Sequence, residues 1–297
     1  MQSFDGSEHN IANPIAAISL PLSVILGSTM QSERPSWQLP NGVSRGTWDY
    51  VQTPEIATEY DAFHDQHPLL ELDGNLLASI QEQFSASSLP CVAIDLGCGT
   101  GRSILHLAKP GWNCIAVDLS WDMLRVCKNK ATDSNKQLAA LHLNMVQLDC
   151  LQDGIADFIV CMYSSFGMVR GKKHRATMLN HVQRILKPGG RFVVHVHNRG
   201  SWLRDPNGVW LTARGWLQSR FSSTWELGDR IYPYRGLPSM YLHAFSQKEL
   251  QTELRSAGLT VESFHKLNRR SSELLAWPNF LSHVRAGGFI ACCRSPG

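Results

Sequence analysis

The chain has 297 residues, of which 43% are hydrophobic, and this is enough to bury one large α/β domain or two small ones. Its net charge of +3 is too small to indicate nucleic-acid binding by itself. The eight cysteines form no Cys-x-x-Cys pair and accompany no histidine cluster at zinc spacing, so we expect buried, reduced thiols, no metal site and a cytoplasmic protein.

Residues 1–45 differ in composition from the remainder, with Ser, Asn, Pro and short apolar patches. The patch Ile15 to Gly27 is too short to span a bilayer, and the acidic flank before it lacks the Lys or Arg of a secretory signal. We predict that 1–45 is a disordered tail or reflects a mis-assigned start, with Met30 as the alternative initiator. A single domain is then expected over 46–297, without membrane association.

A helical pattern covers residues 53–84, because apolar side chains recur at three- and four-residue steps. His67–Pro68 interrupts this pattern, and it resumes over Leu69–Phe84. We therefore predict two helices here.

The most informative stretch begins with the apolar run Val92–Leu96 and continues as Gly97-x-Gly99-x-Gly101. A strand that leads into a glycine turn and a helix is the ligand-binding start of open α/β sheets. The spacing differs from the Gly-x-Gly-x-x-Gly of dinucleotide sites, and Arg102 occupies the position where such sites need a small residue. Asp95, directly before the turn, would repel a phosphate and favour a cationic group. A nicotinamide oxidoreductase is therefore disfavoured.

These residues resemble the first motif of the class I S-adenosylmethionine-dependent methyltransferases. Four further segments in chain order, over roughly residues 90–198, are similar to later motifs of that family: Cys114–Leu124, Leu148–Cys150, Phe158–Met162 and Leu186–Val194. The resemblance implies an α/β fold of Rossmann-like type, a three-layer sandwich around a mostly parallel seven-stranded sheet.

The predicted elements fit that fold. In the core, 90–198, we predict strands at 92–96, 114–118, 140–147, 158–162 and 191–197, with helices at 102–108, 121–129 and 173–186. Ser120 is a predicted N-cap, Ser246 and Glu249 a capping box, and Lys187–Gly190 a helix stop. The predicted cover helices are 53–84, and the final segment, 246–297, adds a helix and an antiparallel pair near 260–266 and 287–293.

The resemblance assigns the cofactor, S-adenosyl-L-methionine, to specific positions. The turn residues Gly97, Cys98, Gly99 and Gly101 would meet its amino acid tail, and Asp95 would hold the ammonium. Asp118 would accept from both ribose hydroxyls, and Leu119 and Met123 would sandwich the adenine. Asp149 would accept from the adenine amine, with the amide of Cys150 donating to a ring nitrogen.

Few sequence features indicate the methyl acceptor, because methyl transfer depends mainly on alignment of the acceptor and exclusion of water. Tyr163 opens the loop after the fourth strand, which borders the methyl group in the family. His195 and His197 alternate onto one face of the fifth strand. His197 and Asn198, nearest its carboxyl end, are the candidate catalytic residues with Tyr163, although a structural histidine pair is the favoured interpretation.

An insertion, 199–245, contains four of the nine tryptophans and six arginines against three acids. We predict a lid with a tight aromatic core over a small acceptor; the alternative is a basic, stacking surface for RNA. A short likeness of Gly228–Tyr234 and Tyr241–Phe245 to wobble-uridine methyltransferases of transfer RNA keeps the second interpretation open.

The sequence thus predicts an S-adenosylmethionine-dependent methyltransferase acting on a small molecule. The alternatives are a tRNA methyltransferase of the wobble-uridine type and a non-catalytic S-adenosylmethionine-binding regulatory protein. The sequence indicates neither the acceptor atom nor the oligomeric state.

Overall fold

The computed structural model describes residues 38–64, 69–84 and 90–297. The predicted tail therefore lies almost wholly outside the described residues, as do Met30 and the helix break at His67–Pro68. Only its last residues, 38–45, are described, and they lead into the first helix. Within the described part of the chain, no helix is long and apolar enough to cross a bilayer.

A seven-stranded sheet forms the centre of the molecule. Its strands, in spatial order, are β3 (Leu138–His142), β2 (Trp112–Asp118), β1 (Cys91–Leu96), β4 (Ala156–Cys161), β5 (Leu186–His197), β9 (Gly288–Arg294) and β8 (Thr260–Lys266). Neighbours are parallel except β9, which is antiparallel to β5 and β8. The predicted mostly parallel sheet and its terminal antiparallel pair are confirmed. The strand order reverses between β1 and β4, so a crevice opens at the carboxyl end of β1.

Helices cover both faces of this sheet. They are α1 (Arg45–Val51), α2 (Pro54–His64), α3 (Leu69–Gln81), α4 (Arg102–Leu107), α5 (Trp121–Asp133), α6 (Lys172–Ile185), α7 (Gly208–Phe221), α8 (Gln247–Ser256) and α9 (Ser282–Arg285). The predicted caps form: the Ser120 hydroxyl accepts from the amide of Met123, and Ser246 and Glu249 make a capping box. The sheet is buried between two apolar clusters, one on each face. Cys292 and Cys293 lie in different clusters, as alternation predicts.

The largest differences from the predicted boundaries are in the third and fifth strands, and one cysteine also differs from its prediction. The third strand ends at His142 rather than at residue 147, because the Asn144 side chain accepts from the amide of Val146, 3.0 Å away, and turns the chain. The fifth strand begins at Leu186, so Lys187–Gly190 belongs to the strand itself. All eight cysteines are free, but Cys150 is exposed because it lies in the loop before β4 rather than in the core.

The insertion contains a 3-10 helix (Arg199–Arg204), then α7, then the hairpin of β6 (Asp229–Tyr234) and β7 (Leu237–His243). The predicted tight aromatic core is wrong for two of its tryptophans. Trp202 is buried, whereas Trp210 and Trp216 are 61% and 52% exposed. They project from α7, whose only buried residue is Gly208.

A buried charge network joins the hairpin to the core. Arg175 of α6 is fully buried and pairs with Glu226, 2.7 Å away, and with Glu253, 2.9 Å away. His243 lies between Asp229 at 2.7 Å and Glu249 at 3.2 Å. Burial opposes its protonation, but the two carboxylate hydrogen bonds outweigh burial and raise the His243 pKa. Among the described residues, Glu226, His243 and Glu249 are the one group at metal-ligand spacing, and these ion pairs already occupy their polar atoms.

Candidate active site

The three glycines of the turn between β1 and α4 have two different structural roles. All three have a positive φ: 74° at Gly97, 53° at Gly99 and 89° at Gly101. A Cβ at Gly97 would come within 2.7 Å of the Ser165 side chain, and one at Gly101 within 2.4 Å of the Cys127 sulfur. A Cβ at Gly99 would meet nothing within 4 Å. Gly97 and Gly101 therefore permit close packing, whereas Gly99 faces open space.

That space is a cleft of about 960 Å³ at the carboxyl ends of β1 and β2. Seven predicted cofactor residues line it: Asp95, Gly97, Cys98, Gly99, Asp118, Leu119 and Met123. Helices α1 and α2 contribute Tyr50 and Tyr60 on its other side, so the amino-terminal helices do cover the cleft.

Two residues that line the cleft have a buried polar atom without a partner among the described residues. Asp95 is 2% exposed, and its Oδ2 has no hydrogen-bond partner among the described residues. Burial, with the nearby Asp118 carboxylate, raises the Asp95 pKa to about 8. Nη1 of Arg102 is likewise buried without a partner in the described part of the chain. The Arg102 guanidinium lies 4.3 Å from the ring centre of Tyr163. Buried polar atoms are normally satisfied, so these two atoms are candidate contacts for a polar ligand.

Asp118 ends β2 and faces the middle of the cleft. One of its oxygens accepts from the amide of Gly99 and the other from the amide of Ser120, both at 2.8 Å. Burial raises its pKa, although these backbone donors oppose the shift. Each carboxylate oxygen can accept a second hydrogen bond. Asp118 is thus fixed in position while keeping capacity for two hydroxyl donors.

Three predicted cofactor residues do not line the cleft. Gly101 turns toward Cys127, as described above. The Asp149 side chain is 85% exposed and lies 3.9 Å from His181, and Cys150 is exposed beside it. The correction follows from the early end of β3 at His142. The residues that reach the cleft after this strand are Asn144 and Met145, five residues earlier than Asp149 and Cys150.

Helix α2 is joined to the glycine turn by Asp61. Its two oxygens accept from the Thr100 hydroxyl at 2.7 Å and from the Lys130 ammonium at 2.8 Å. Burial works against ionisation, but these donors lower the Asp61 pKa overall. The contact places Tyr60, one residue before Asp61, on the cleft.

A second cavity of about 1330 Å³ adjoins the cleft, and Tyr50, Tyr60, Tyr163 and Met168 line both. Aromatic side chains from the insertion, Trp202, Tyr232 and Tyr234, form much of its remaining wall. Polar groups enter it from His64, His195, His197 and Arg270. The predicted lid therefore contributes its buried face to a cavity, although α7 does not.

The three predicted catalytic residues have different surroundings. His197 lines the second cavity, and its ring centre lies 5.8 Å from that of His195. Tyr163 lies at the junction, and burial raises its pKa, so it stays protonated. Asn198 does not line either cavity. Its side chain donates to the carbonyls of His283 at 3.0 Å and Ala286 at 2.7 Å, and accepts from the amide of Gly200. The Asn198 side chain therefore caps the 3-10 helix, and these hydrogen bonds occupy its amide group.

Sequence reasoning missed several lining residues, for an identifiable reason. Asp149 resembles the acid of the family motif, so the sequence predicts the adenine contacts at Asp149 and Cys150 rather than at Asn144 and Met145. Tyr50 lies on α1, a helix of only seven residues with too short a pattern to predict. The sequence indicates only that Trp202 and Tyr234 belong to the aromatic-rich insertion. Their position on the second cavity depends on how the insertion packs.

Comparison with known proteins agrees with this geometry. A family model described as a methyltransferase domain matches residues 93–190. The ubiquinone biosynthesis O-methyltransferase of Methylococcus capsulatus is 30% identical over 107 residues, which is 36% of this chain and 44% of that protein. The chain spans less than half the length of the first curated relatives that it matches.

Two solved structures share the fold. An S-adenosylmethionine-dependent methyltransferase from Clostridium acetobutylicum has a TM-score of 0.55 and 16% identity, covering 82% of this chain and 98% of that one. The 1,6-didemethyltoxoflavin-N1-methyltransferase of Burkholderia thailandensis has a TM-score of 0.53 and 15% identity, covering 84% and 89%. Sheet order, glycine turn and cleft define a Rossmann-like methyltransferase fold. Residues 93–190 thus match a methyltransferase domain, and the chain is similar to the S-adenosylmethionine-dependent methyltransferases.

Proposed function

We propose that this chain transfers a methyl group from S-adenosylmethionine to a small molecule held in the second cavity. The observation that carries the proposal is the wall common to both cavities, formed by Tyr50, Tyr60, Tyr163 and Met168. A donor in the cleft and an acceptor in the second cavity would meet there. In-line transfer needs this kind of juxtaposition.

The residues of the cleft fit the donor part by part. Its amino acid tail carries an ammonium and a carboxylate, which match the unpaired oxygen of Asp95 and the unpaired nitrogen of Arg102. The two ribose hydroxyls match the free acceptor capacity of Asp118. Leu119 and Met123 supply apolar surface for the adenine, with Asn144 and Met145 at its edge. When bound, the cofactor supplies an activated methyl group on a sulfonium.

The chain's own contribution is to orient the acceptor and exclude water. Tyrosine and tryptophan side chains provide flat apolar walls for a planar acceptor. His197, with His195 beside it, is placed to take a proton from an acceptor that must lose one. Tyr163 separates the two spaces and, because it stays protonated, acts as a hydrogen-bond donor.

The RNA alternative has less support. It needs free arginines on the insertion, but Arg235 pairs with Glu59 at 2.8 Å and donates to the carbonyl of Ile56. Arg199 pairs with Glu249 at 2.7 Å, and Arg230 with Asp205 at 3.6 Å. Arg199 and Arg235 therefore hold the insertion to the rest of the molecule, and Arg230 pairs within the insertion.

The test has two stages. Calorimetry with S-adenosylmethionine and S-adenosylhomocysteine measures cofactor binding, and transfer of a labelled methyl group into a metabolite extract measures turnover. We expect His197→Asn to lose turnover while keeping cofactor affinity. The matched control is His265→Asn on β8, outside both cavities, which should keep both.

Each outcome decides between the alternatives. Tight cofactor binding without transfer to any extract fraction would favour a regulatory protein. Transfer to bulk tRNA, with binding that weakens steeply in salt, would favour the RNA alternative. Absence of binding to either cofactor form by folded protein would reject the assignment as a whole.

A further inference from the structure

Helix α7 has its apolar and polar sides reversed relative to a normal surface helix. The least exposed residues are small or polar and recur at i, i+4, i+7 and i+11: Gly208 is buried, and Thr212, Gly215 and Ser219 are half-buried. Gly208 lies so close to the 3-10 helix that a Cβ there would be 1.8 Å from the Trp202 carbonyl oxygen. A surface helix ordinarily turns its apolar stripe toward the core.

The outward side carries the large side chains. Five of them are between 52% and 85% exposed: Val209, Trp210, Trp216, Leu217 and Phe221. Single exposed apolar residues are ordinary, but a contiguous group on one helix is typical of an interaction surface.

A second exposed apolar segment lies beside the same 3-10 helix. Leu274, Trp277, Phe280 and Leu281 are 55%, 79%, 65% and 52% exposed, and they precede α9. Gly200 of the 3-10 helix approaches α9 closely, since a Cβ there would lie 1.8 Å from the His283 carbonyl oxygen. We call the exposed side chains of α7 and of 274–281 the aromatic rim.

The rim is basic as well as apolar. Arg214 lies 5.6 Å from the ring centre of Trp210, Arg220 5.9 Å from that of Trp216, and Arg285 5.8 Å from that of Phe280. No Asp or Glu occurs in residues 206–225 or 274–297. Arg214 and Arg220 make no ion pair with any described residue.

This charge pattern distinguishes between two candidate partners, a second copy of the chain and an anionic lipid surface. Two copies of the chain placed rim to rim would bring arginines against arginines, which disfavours self-association. A lipid surface with anionic headgroups satisfies both features, because tryptophan and phenylalanine insert at the headgroup boundary while arginine binds phosphate. We propose that the aromatic rim docks this protein on anionic membranes.

Docking would also fix the orientation of the molecule. Trp202 and Asp205, which line the second cavity, lie in the segment leading into α7, and Arg269 and Arg270 lie in the segment before Leu274. The bound protein would therefore hold the second cavity beside the lipid headgroups. The docking itself does not depend on the proposed methyl transfer.

The test is co-sedimentation of the full chain with vesicles of phosphatidylcholine alone or mixed with phosphatidylserine. We expect at least tenfold tighter binding to the anionic vesicles, weakening with salt. Trp216→Ser combined with Phe221→Ser should reduce binding to both vesicles at least tenfold. Arg214→Gln combined with Arg220→Gln should remove the preference for phosphatidylserine.

The matched control is Trp121→Ser, since Trp121 on α5 is 64% exposed but lies outside the rim. It should bind like the wild type, and unchanged far-ultraviolet circular dichroism should show that every variant is folded. The proposal is overturned if the wild type does not bind anionic vesicles, or if the rim variants bind as it does. A concentration-dependent dimer that the Trp216/Phe221 variant abolishes would assign the rim to a second copy instead.

Discussion

Replacing Asp95 by asparagine tests the electrostatics of the cleft, because it keeps the shape and removes the charge. In the ligand-free protein, burial and Asp118 raise the Asp95 pKa to about 8, so the carboxyl is neutral at about pH 6.5. An ammonium group can pair only with the ionised form. Binding S-adenosylmethionine below pH 8 must therefore expel the Asp95 proton.

The magnitude follows from the size of the shift. Each pH unit below the ligand-free pKa costs about 1.4 kcal/mol of binding free energy. The wild-type affinity should thus fall by roughly tenfold per unit as the pH is lowered from about 7.5 to about 5.5. In Asp95→Asn the affinity should be weaker at pH 7.5 and nearly independent of pH over this range.

Calorimetry in buffers of different ionisation enthalpy measures the proton directly. At about pH 6.5 the wild type should release close to one proton for each S-adenosylhomocysteine bound, and Asp95→Asn should release none. Methylthioadenosine is the control ligand, since it lacks the amino acid tail and should release no proton from either protein. Pairing of Asp95 with the tail would be refuted if wild type released no proton, or if methylthioadenosine released as much.

Four further outcomes follow from the same residues. Asp118→Ala should weaken cofactor binding at least tenfold, since charge-assisted hydrogen bonds contribute about 1.5–3 kcal/mol; an unchanged Kd would remove the ribose from this site. Gly99→Val should abolish binding, whereas Gly154→Val, also at positive φ in open space but outside the cleft, should keep it. Asp95→Asn should raise the Tm of the ligand-free protein at pH 7 but not at about pH 4. Because the folded pKa of Asp95 is raised, the stability of wild type falls as pH rises, by about 4 kcal/mol between about pH 4 and about pH 7. The raised His243 pKa likewise predicts that wild type loses more stability than His243→Gln as pH rises above about 6.5, measured by denaturant unfolding.

Local patterns were sufficient for the parts of the fold that are decided locally. The apolar run ending at Asp95, the capping box of Ser246 and Glu249, and the alternation at Cys292 and Cys293 each concern neighbours along the chain. Such features depend on hydrogen bonds and side-chain directions within a few residues. They identified the strands and helices, and the order of the motifs then indicated the sheet.

The two errors have different origins, a local turn for Asp149 and distant contacts for Asn198. Asp149 was placed on the adenine by its position in a motif, but the turn at Asn144 ends β3 early and leaves Asp149 on the surface. Asn198 was considered catalytic because it follows His197, but the carbonyls of His283 and Ala286 occupy its amide. The partners of Asn198 lie 85 and 88 residues away, so nothing near it in sequence indicates them.

The sequence by itself determined that a strand, a tight glycine bend and a helix follow one another, and that carboxylates end two neighbouring strands. This holds because backbone freedom at glycine and the direction of successive side chains are properties of short segments. Only the tertiary structure decided that Asp95 and Arg102 face one cleft unpaired, that Tyr163 separates it from a second cavity, and that α7 turns its tryptophans outward. These facts depend on which surfaces meet when helices and insertion pack on the sheet, and the net free energy of that packing is a sum over residues far apart in the chain.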